Sequence, residues 1–384
     1  MSDKMRGRLY SLLTDYYSKK YREDYFQDAV MRRFYRKLYF EIFRNLGTIE
    51  KAIGRFTEFR PAPEQMAALV MGSAQLLYMN DVPDYAAVNE SVSLVGKNKR
   101  GFINAVLRKI IAKREEILAA SVERDNFPVW LADRWRKRYG NISAEKIMAA
   151  YNQAPPLYAL NVENLAVEEV EEYDEEAENL YYMDKASAMI PTLAGKLEPA
   201  SVLDCCAAPG GKTLILGKMY PESMIFAVEI NPKRFEVLEE TVERFGLENV
   251  QPVNNDIMKM EGDEAFELIL LDAPCTAIGT MRKHPEIRWI RNEMQIREKS
   301  SIQRKMLIKT SGLLAKHGRL IYSVCTTEPE ETTDIVNAFL TENPNFRAVK
   351  PACPDEFIRG DYFVSDPSKS NCDGFFAAVL EKIK

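Results

Sequence analysis

Histidine is nearly missing from this chain: His284 and His317 are the only two in 384 residues. No two cysteines stand at Cys-x-x-Cys spacing, and the six that occur follow no regular framework. A structural zinc therefore has no ligand set, and a disulfide scaffold has no pattern to rest on; both absences fit a reducing compartment. No apolar run approaches the ~20 residues a helix needs to cross a bilayer. The stretch Met1-Ser2-Asp3-Lys4-Met5-Arg6 has no apolar core behind it. No signal peptide, membrane partner or metal is expected, and the expected location is the cytoplasm.

Positive charge is also scarce, with a formal net of −5, but its distribution is uneven. Residues 1–120 carry 21 Lys and Arg against 14 Asp and Glu, a surplus of +7 that leaves −12 for the remainder. Eight acids crowd into the eleven residues from Glu168 to Glu178. A basic first third on an acidic chain fits an RNA-contacting module, although charge alone equally describes an ordinary solvated helical face.

Length and periodicity divide the chain in three. Residues 1–122 read as helices throughout. Proline opens one at Ala62-Pro63-Glu64, with Met66, Leu69, Val70, Leu76 and Leu77 as its apolar stripe. Phe102, Ile103, Val106, Leu107, Ile110 and Ile111 repeat at the same spacing. Arg32, Arg33, Arg36 and Lys37 cluster on another helix among Phe34, Tyr35 and Tyr39, where aromatics at this spacing more often build core than bind RNA. Residues 123–198 form a linker and a small middle segment, with a strand at Leu157–Val162 and then the acidic run, to which no chemistry is assigned. Residues 199–384 alternate strand and helix. Strands are expected at Ser201–Asp204, Met224–Glu229, Val250–Val253, Leu268–Asp272, Arg319–Val324 and Phe375–Leu380, and helices at about 211–219, 231–245, 297–314 and 330–341. That rhythm gives a doubly wound, mostly parallel sheet, which binds ligands at the carboxyl ends of its strands.

One stretch organises this last region: Val202-Leu203-Asp204-Cys205-Cys206-Ala207-Ala208-Pro209-Gly210-Gly211-Lys212-Thr213. Strand, glycine turn and new helix are the grammar of a nucleotide-type cofactor site. It is not a phosphate-binding P-loop, because Cys206 stands where that pattern needs its first glycine and Pro209 removes a donor. The dinucleotide fingerprint is absent too. Glu229, 25 residues beyond Asp204, ends the second strand and suits the two hydroxyls of a ribose. Asp256, after the third, suits an adenine amino group. Asp272 ends the fourth and is followed by Ala273-Pro274-Cys275, and Cys325 ends the next in Tyr322-Ser323-Val324-Cys325.

Each cysteine alone reads as buried packing. Two of them, on strands expected to be neighbours and beside a cofactor loop, suggest S-adenosylmethionine and methylation of a pyrimidine carbon. Carbon 5 of cytosine is too electron-poor to attack a methyl sulfonium. A thiolate adding to carbon 6 turns the ring into an enamine that can attack, and a base then removes the carbon 5 proton. Asp272 is the acid available near ring nitrogen 3. The residues alone do not rank the two thiols.

The motifs Asp-x-Cys-Ala-Ala-Pro-Gly-Gly-Lys-Thr at 204–213, Asp-Ala-Pro-Cys at 272–275 and Tyr-Ser-x-Cys at 322–325 resemble those of the RsmB/Sun/Nop family of RNA (cytosine-5)-methyltransferases. Arg282-Lys283-His284-Pro285-Glu286-Ile287-Arg288-Trp289 and Asp373-Gly374-Phe375-Phe376 match as well. Residues 82–108 resemble the NusB-like N-terminal domain of the bacterial branch that acts on small-subunit ribosomal RNA. The resemblance implies an all-α NusB-like domain followed by a Rossmann-like class I methyltransferase domain. It implies that Cys206, Ala207, Ala208, Pro209, Gly210, Gly211, Lys212, Glu229, Asp256 and Asp272 bind S-adenosylmethionine. Cys325 is then the nucleophile, Cys275 assists product release, and Asp272 takes part in catalysis. Arg282, Lys283 and Arg288 are expected phosphate contacts, whereas His284 and Trp289 are expected to be structural. Glu229 replaces the commoner aspartate, Thr276 a serine and Thr332 an asparagine, each keeping the needed chemistry. The expected partner is RNA, with the protein a monomer. Two other readings remain: a non-catalytic RNA-binding adaptor of the antitermination type, and a methyltransferase for another nucleic acid such as transfer RNA or DNA.

Overall fold

The structure is a computed structural model that describes residues 2–20, 33–174, 176–262 and 266–384; Arg32 of the basic cluster and Glu175 of the acidic run lie outside it. The chain forms two compact units: residues 1–152 with 284–290, and residues 153–283 with 291–384. Among the described residues no helix is long and apolar enough to cross a membrane, and no group of three or more His, Cys, Asp and Glu could hold a metal ion.

The first unit is helical and built around Pro63–Tyr78. Proline starts that helix, Gln65 accepts a hydrogen bond from the Ala62 N–H, and every residue from Met66 to Leu77 is buried. Gly72 is required there, since a Cβ would lie 2.7 Å from both Leu107 Cδ1 and Ser91 Oγ. Tyr35 and Tyr39 face this core while Arg36 and Lys37 face solvent, as amphipathic spacing demands. The unit also includes Val129–Tyr139 and Asn141–Asn152, which were expected in the middle segment. Trp135 and Tyr151 tie them together, stacked at 5.3 Å and almost fully buried.

Residues 284–290 complete this unit. The Trp289 indole N–H donates to the Phe43 carbonyl at 2.7 Å. Arg288 is completely buried, with its guanidinium 4.1 Å from the centre of the Phe127 ring. It donates to the carbonyls of Asn126 (3.2 Å) and Tyr151 (3.0 Å) and to Asn152 Oδ1 (2.9 Å). Burial pulls its pKa down to about 9. The expectation that Arg288 contacts RNA phosphate is therefore corrected: both terminal nitrogens of its guanidinium donate inside the protein, and the fully buried side chain is closed off from any phosphate.

The second unit begins with a three-stranded antiparallel sheet, β1 (Leu157–Asn161), β2 (Val167–Val170) and β3 (Leu180–Tyr182), in the order β2-β1-β3. A nine-stranded sheet follows: β4 (Ser201–Asp204), β5 (Met224–Glu229), β6 (Val250–Asn254), β7 (Phe266–Asp272), β8 (Leu314–Val324), β9 (Phe346–Val349), β10 (Ile358–Arg359), β11 (Tyr362–Val364) and β12 (Phe376–Lys382). The order is β10-β11-β12-β8-β7-β4-β5-β6, with β9 also on β12. Strands β4 to β8 pair in parallel and β12 antiparallel to β8, which gives the mixed, mostly parallel Rossmann-like core the alternation predicts. The chain switches direction of winding at β4 and β7, the crevice where such sheets take ligands. Gly211–Met219 matches its expected bounds, whereas Glu293–Leu313 starts earlier than residue 297 because Asn292 and Gln295 form a reciprocal cap before it.

Candidate active site at the carboxyl ends of the sheet

At the end of β4 the chain turns through Gly210, at φ +106°, into the helix Gly211–Met219. A side chain at Gly210 would meet Thr241 Cβ at 2.8 Å, and one at Gly211 would meet the Tyr181 ring at 2.5 Å. Both glycines are thus needed for close approach, the first also for its backbone conformation. The helix Pro232–Arg244 ties the loop down from behind: Thr241 Oγ1 donates to the Pro209 carbonyl (2.7 Å) and Arg234 to the Ala208 carbonyl (2.5 Å).

A cavity of about 150 Å³ opens here. The predicted residues Cys206, Ala207, Ala208, Pro209, Gly211, Lys212 and Asp272 line it, with Asp204, Tyr181, Tyr182, Met183 and Ser187. Glu229 lies buried at the end of β5; one carboxylate oxygen accepts from the Asn231 N–H (2.9 Å), while Oε2 has no hydrogen-bond partner and sits 3.6 Å from Arg234. A buried acceptor left open at this strand end suits the hydroxyls of a ribose, so the residues fit a nucleoside cofactor. Asp256, half-buried, accepts from the Met258 N–H at 2.9 Å and starts the turn after β6. Asp204 is buried and accepts from Thr213 Oγ1 at 2.7 Å. Burial pushes its pKa up to about 7.

On the other wall, strand register brings the chemistry together. Asp272 on β7 pairs with Ser323 on β8, and the two strands run parallel. Cys275 and Cys325, three and two residues further on, therefore emerge side by side, with Sγ atoms 3.1 Å apart and both thiols free. Ser323 Oγ donates to Asp272 Oδ1 (2.6 Å), and the Lys212 ammonium donates to Asp272 Oδ2 (2.7 Å). Burial lowers the Lys212 pKa, but the Asp272 carboxylate more than compensates, so the net direction is upward. The Cys325 thiol is held well above its usual range by its bond to Cys275, by burial and by Asp272, with Lys212 opposing them. Gly279 and Gly374 fix the Cys325 backbone: the Gly279 N–H donates to the Cys325 carbonyl (3.0 Å), and the Gly374 N–H to the Gly279 carbonyl (2.8 Å).

Arg282 and Lys283 lie beside this wall but are engaged by protein. Arg282, nearly buried, donates to the Ala154 carbonyl and to Asn371 Oδ1, both at 3.1 Å. Lys283 sits 3.2 Å from Asp373 and 3.5 Å from Asp184. Lys283 pairs with the acid that opens the Asp373-Gly374-Phe375 turn and keeps part of its side chain exposed, whereas Arg282 is nearly buried and spent on protein acceptors, which leaves it no reach to a phosphate. The wall made by Tyr181, Tyr182, Met183 and Ser187 was not expected. Its one sequence signal is the apolar run Leu180–Met183 directly after the acidic stretch.

Residues 192–381 match the family described as 16S rRNA methyltransferase RsmB/F, and residues 8–112 match the NusB family. Ribosomal RNA small subunit methyltransferase B of Enterobacter sp. (strain 638) is 30% identical over 354 residues, covering 82% of this chain and 81% of the relative. Its namesake in Salmonella typhi is 29% identical, covering 90% of this chain and 89% of its own. Among solved structures, PH0851 shares the fold over 98% of this chain and 99% of its own, with TM-score 0.75 and 22% identity. NSun6 from Pyrococcus horikoshii, solved with SFG, covers 67% of this chain and 99% of its own, with TM-score 0.58 and 19% identity.

Proposed function

We propose, from the premise that the chain belongs to the RsmB/F family of 16S rRNA methyltransferases, that it methylates carbon 5 of a cytosine in small-subunit ribosomal RNA through a covalent bond to Cys325. The enzyme is a methyltransferase, its cofactor is S-adenosylmethionine and its partner is RNA. The bound cofactor supplies an electrophilic methyl group, and the Gly210-Gly211 loop, Glu229 and the Tyr181 wall would hold it.

The observation that carries the reading is the thiol pair, 3.1 Å apart, on the strand ends next to Asp272, whose ion pair with Lys212 lines the cavity. Asp272, fixed by Ser323 and Lys212, accepts from the exocyclic amine, and a proton shared between its carboxyl and ring nitrogen 3 draws electrons from carbon 6. Cys325 gives its proton to water and its sulfur bonds to carbon 6; the electron pair this releases lets carbon 5 take the methyl group, with the electrons of the broken bond left on the sulfonium sulfur of the cofactor. Cys275 assists the elimination: its sulfur, as thiolate, takes the carbon 5 proton, the bond between carbon 6 and sulfur breaks, and the Cys325 thiolate is regenerated. Lys212 stabilises this thiolate against Asp272 and burial. The target base has to leave its stack to reach a buried sulfur, so unstructured or partly assembled RNA is the better substrate.

The test is methyl transfer from labelled S-adenosylmethionine to unmodified small-subunit ribosomal RNA, free and as assembled subunits, with the product nucleoside identified by mass spectrometry. The expected product is 5-methylcytidine. Cys325→Ala is expected to abolish it and to form no RNA–protein adduct, whereas Cys275→Ala accumulates one. The opposite pattern would exchange the two roles, and no product on any RNA would sink the catalytic reading.

A further inference from the structure

Glu331 is fully buried, and nothing in the reaction above uses it. It closes the short turn Pro329–Glu331, six residues beyond Cys325. Its carboxylate collects three donors. Oε1 accepts from the Thr276 N–H (2.9 Å) and from Gln303 Nε2 (3.0 Å), and Oε2 accepts from Thr276 Oγ1. Gln303 Nε2 also donates to the Pro274 carbonyl at 3.1 Å. Pro274 and Thr276 flank Cys275 in sequence, so one neighbour of that cysteine is fastened to the carboxylate directly and the other through Gln303. The Glu331 carbonyl in turn accepts from the Tyr322 hydroxyl at 2.7 Å, and Tyr322 lies on β8, three residues before Cys325. Thr276, Gln303 and Tyr322 are themselves fully buried. One residue thus spans the two segments that carry the thiols.

We propose that Glu331 is a positioning residue that aims Cys275 at Cys325. With its two neighbours fixed, the Cys275 backbone cannot shift, which keeps its sulfur within reach of that of Cys325, 3.1 Å away. A carboxylate suits the task because it only accepts hydrogen bonds, and all three groups it faces are donors. Glutamine would turn an amide N–H₂ toward at least one of those donors and leave it unsatisfied. An isolated structural carboxylate would need no such link to both cysteine segments. The proposal rests on the reading that Cys275 drives product release, and it predicts a specific kinetic signature. Misplacing Cys275 slows release and leaves addition by Cys325 untouched.

The experiment compares wild type, E331Q, T276V, T276S, C275A and C325A in the full chain, incubated with unmodified small-subunit ribosomal RNA and S-adenosylmethionine. The readouts are the covalent RNA–protein adduct on denaturing gels, the rate of the first turnover and the steady-state rate. E331Q and T276V are expected to accumulate adduct as C275A does, and to lose about 10²-fold in steady-state rate with the first turnover nearly unchanged, the scale of a displacement of about 1 Å. T276S, which keeps the hydroxyl donor, is expected to behave as wild type. Wild-type adduct levels in E331Q and T276V, beside accumulation in C275A, overturn the positioning role alone. Loss of the first turnover in both overturns it as well, since that is the mark of general damage. Absence of adduct in C275A itself overturns the reading of Cys275 and the proposal with it. Should E331Q fail to fold, T276V with its T276S counterpart decides the matter.

Discussion

Two cations from motifs of the same kind lie deep in this protein and are handled in opposite ways. Lys212 lines the cavity beyond β4 and faces a carboxylate, Asp272, whose charge also acts on the Cys325 thiol. Arg288 lies in the helical unit and is held by two backbone carbonyls, one asparagine side chain and an aromatic face. The pKa of Lys212 rises and that of Arg288 falls to about 9. A cation paired with a carboxylate at a cavity is placed to act on a substrate. A cation sunk among neutral acceptors cross-links backbone, and the planar guanidinium does that by reaching several acceptors at once.

The largest effect that sharpens this contrast belongs to Lys212. Lys212→Met is expected to lower kcat/KM for methyl transfer about 10³-fold, roughly 4 kcal/mol of transition-state stabilisation, while the thermal midpoint shifts little. Both Asp272 and the Cys325 thiolate lose their counter-charge, so the pH at which the remaining activity rises should also move upward. A large drop in melting temperature with near-normal turnover would erase the distinction. Arg288→Met should show the reverse pattern. Three acceptors are orphaned, costing about 3 kcal/mol in denaturant unfolding of the helical unit, and Arg288→Lys should not restore it because an ammonium lacks the fork. Activity per folded molecule is expected to stay near wild type.

The smallest effect concerns Asp204, a second carboxylate near Lys212. Its folded value of about 7 lies above its ordinary 3.8. The contribution of this group to stability is therefore complete below about pH 4 and is lost as the pH rises toward 7. Asp204→Asn should gain stability relative to wild type at pH 8, by about 2 kcal/mol, and little at pH 4. That is about half the value of a three-unit shift, because asparagine keeps the acceptor for Thr213 but brings an amide that needs its own partner. Equal gains at both pH values would show that burial does not raise the Asp204 pKa above its ordinary value.

The Gly210-Gly211 turn and the thiol pair were legible because their signals are local. Small residues packed between a strand and a helix mark a place where a ligand or another backbone comes close. Parallel neighbours in register place Cys275 beside Cys325 once the strand order is known. Arg282 and Arg288 misled because a basic residue in a motif looks the same whether it meets phosphate or protein; burial, which the sequence does not carry, decides. Tyr181 and Glu331 were missed for a different reason. Each acts on a segment far along the chain, Tyr181 on Gly211 and Glu331 on Thr276, and neither spacing nor composition announces such a partner.

Residues 284–290 give the helical unit an unusual dependence on time. Tyr151, Asn126 and Phe43 are all made more than 130 residues before the Arg288 and Trp289 that bond to them. On a ribosome, which adds about 5–20 residues per second, the unit waits many seconds with those positions empty. Its final closure then coincides with the emergence of the chain that leads on to Cys325. The helical unit can collapse early but is finished late, and a fragment ending at residue 152 lacks the piece that seals it.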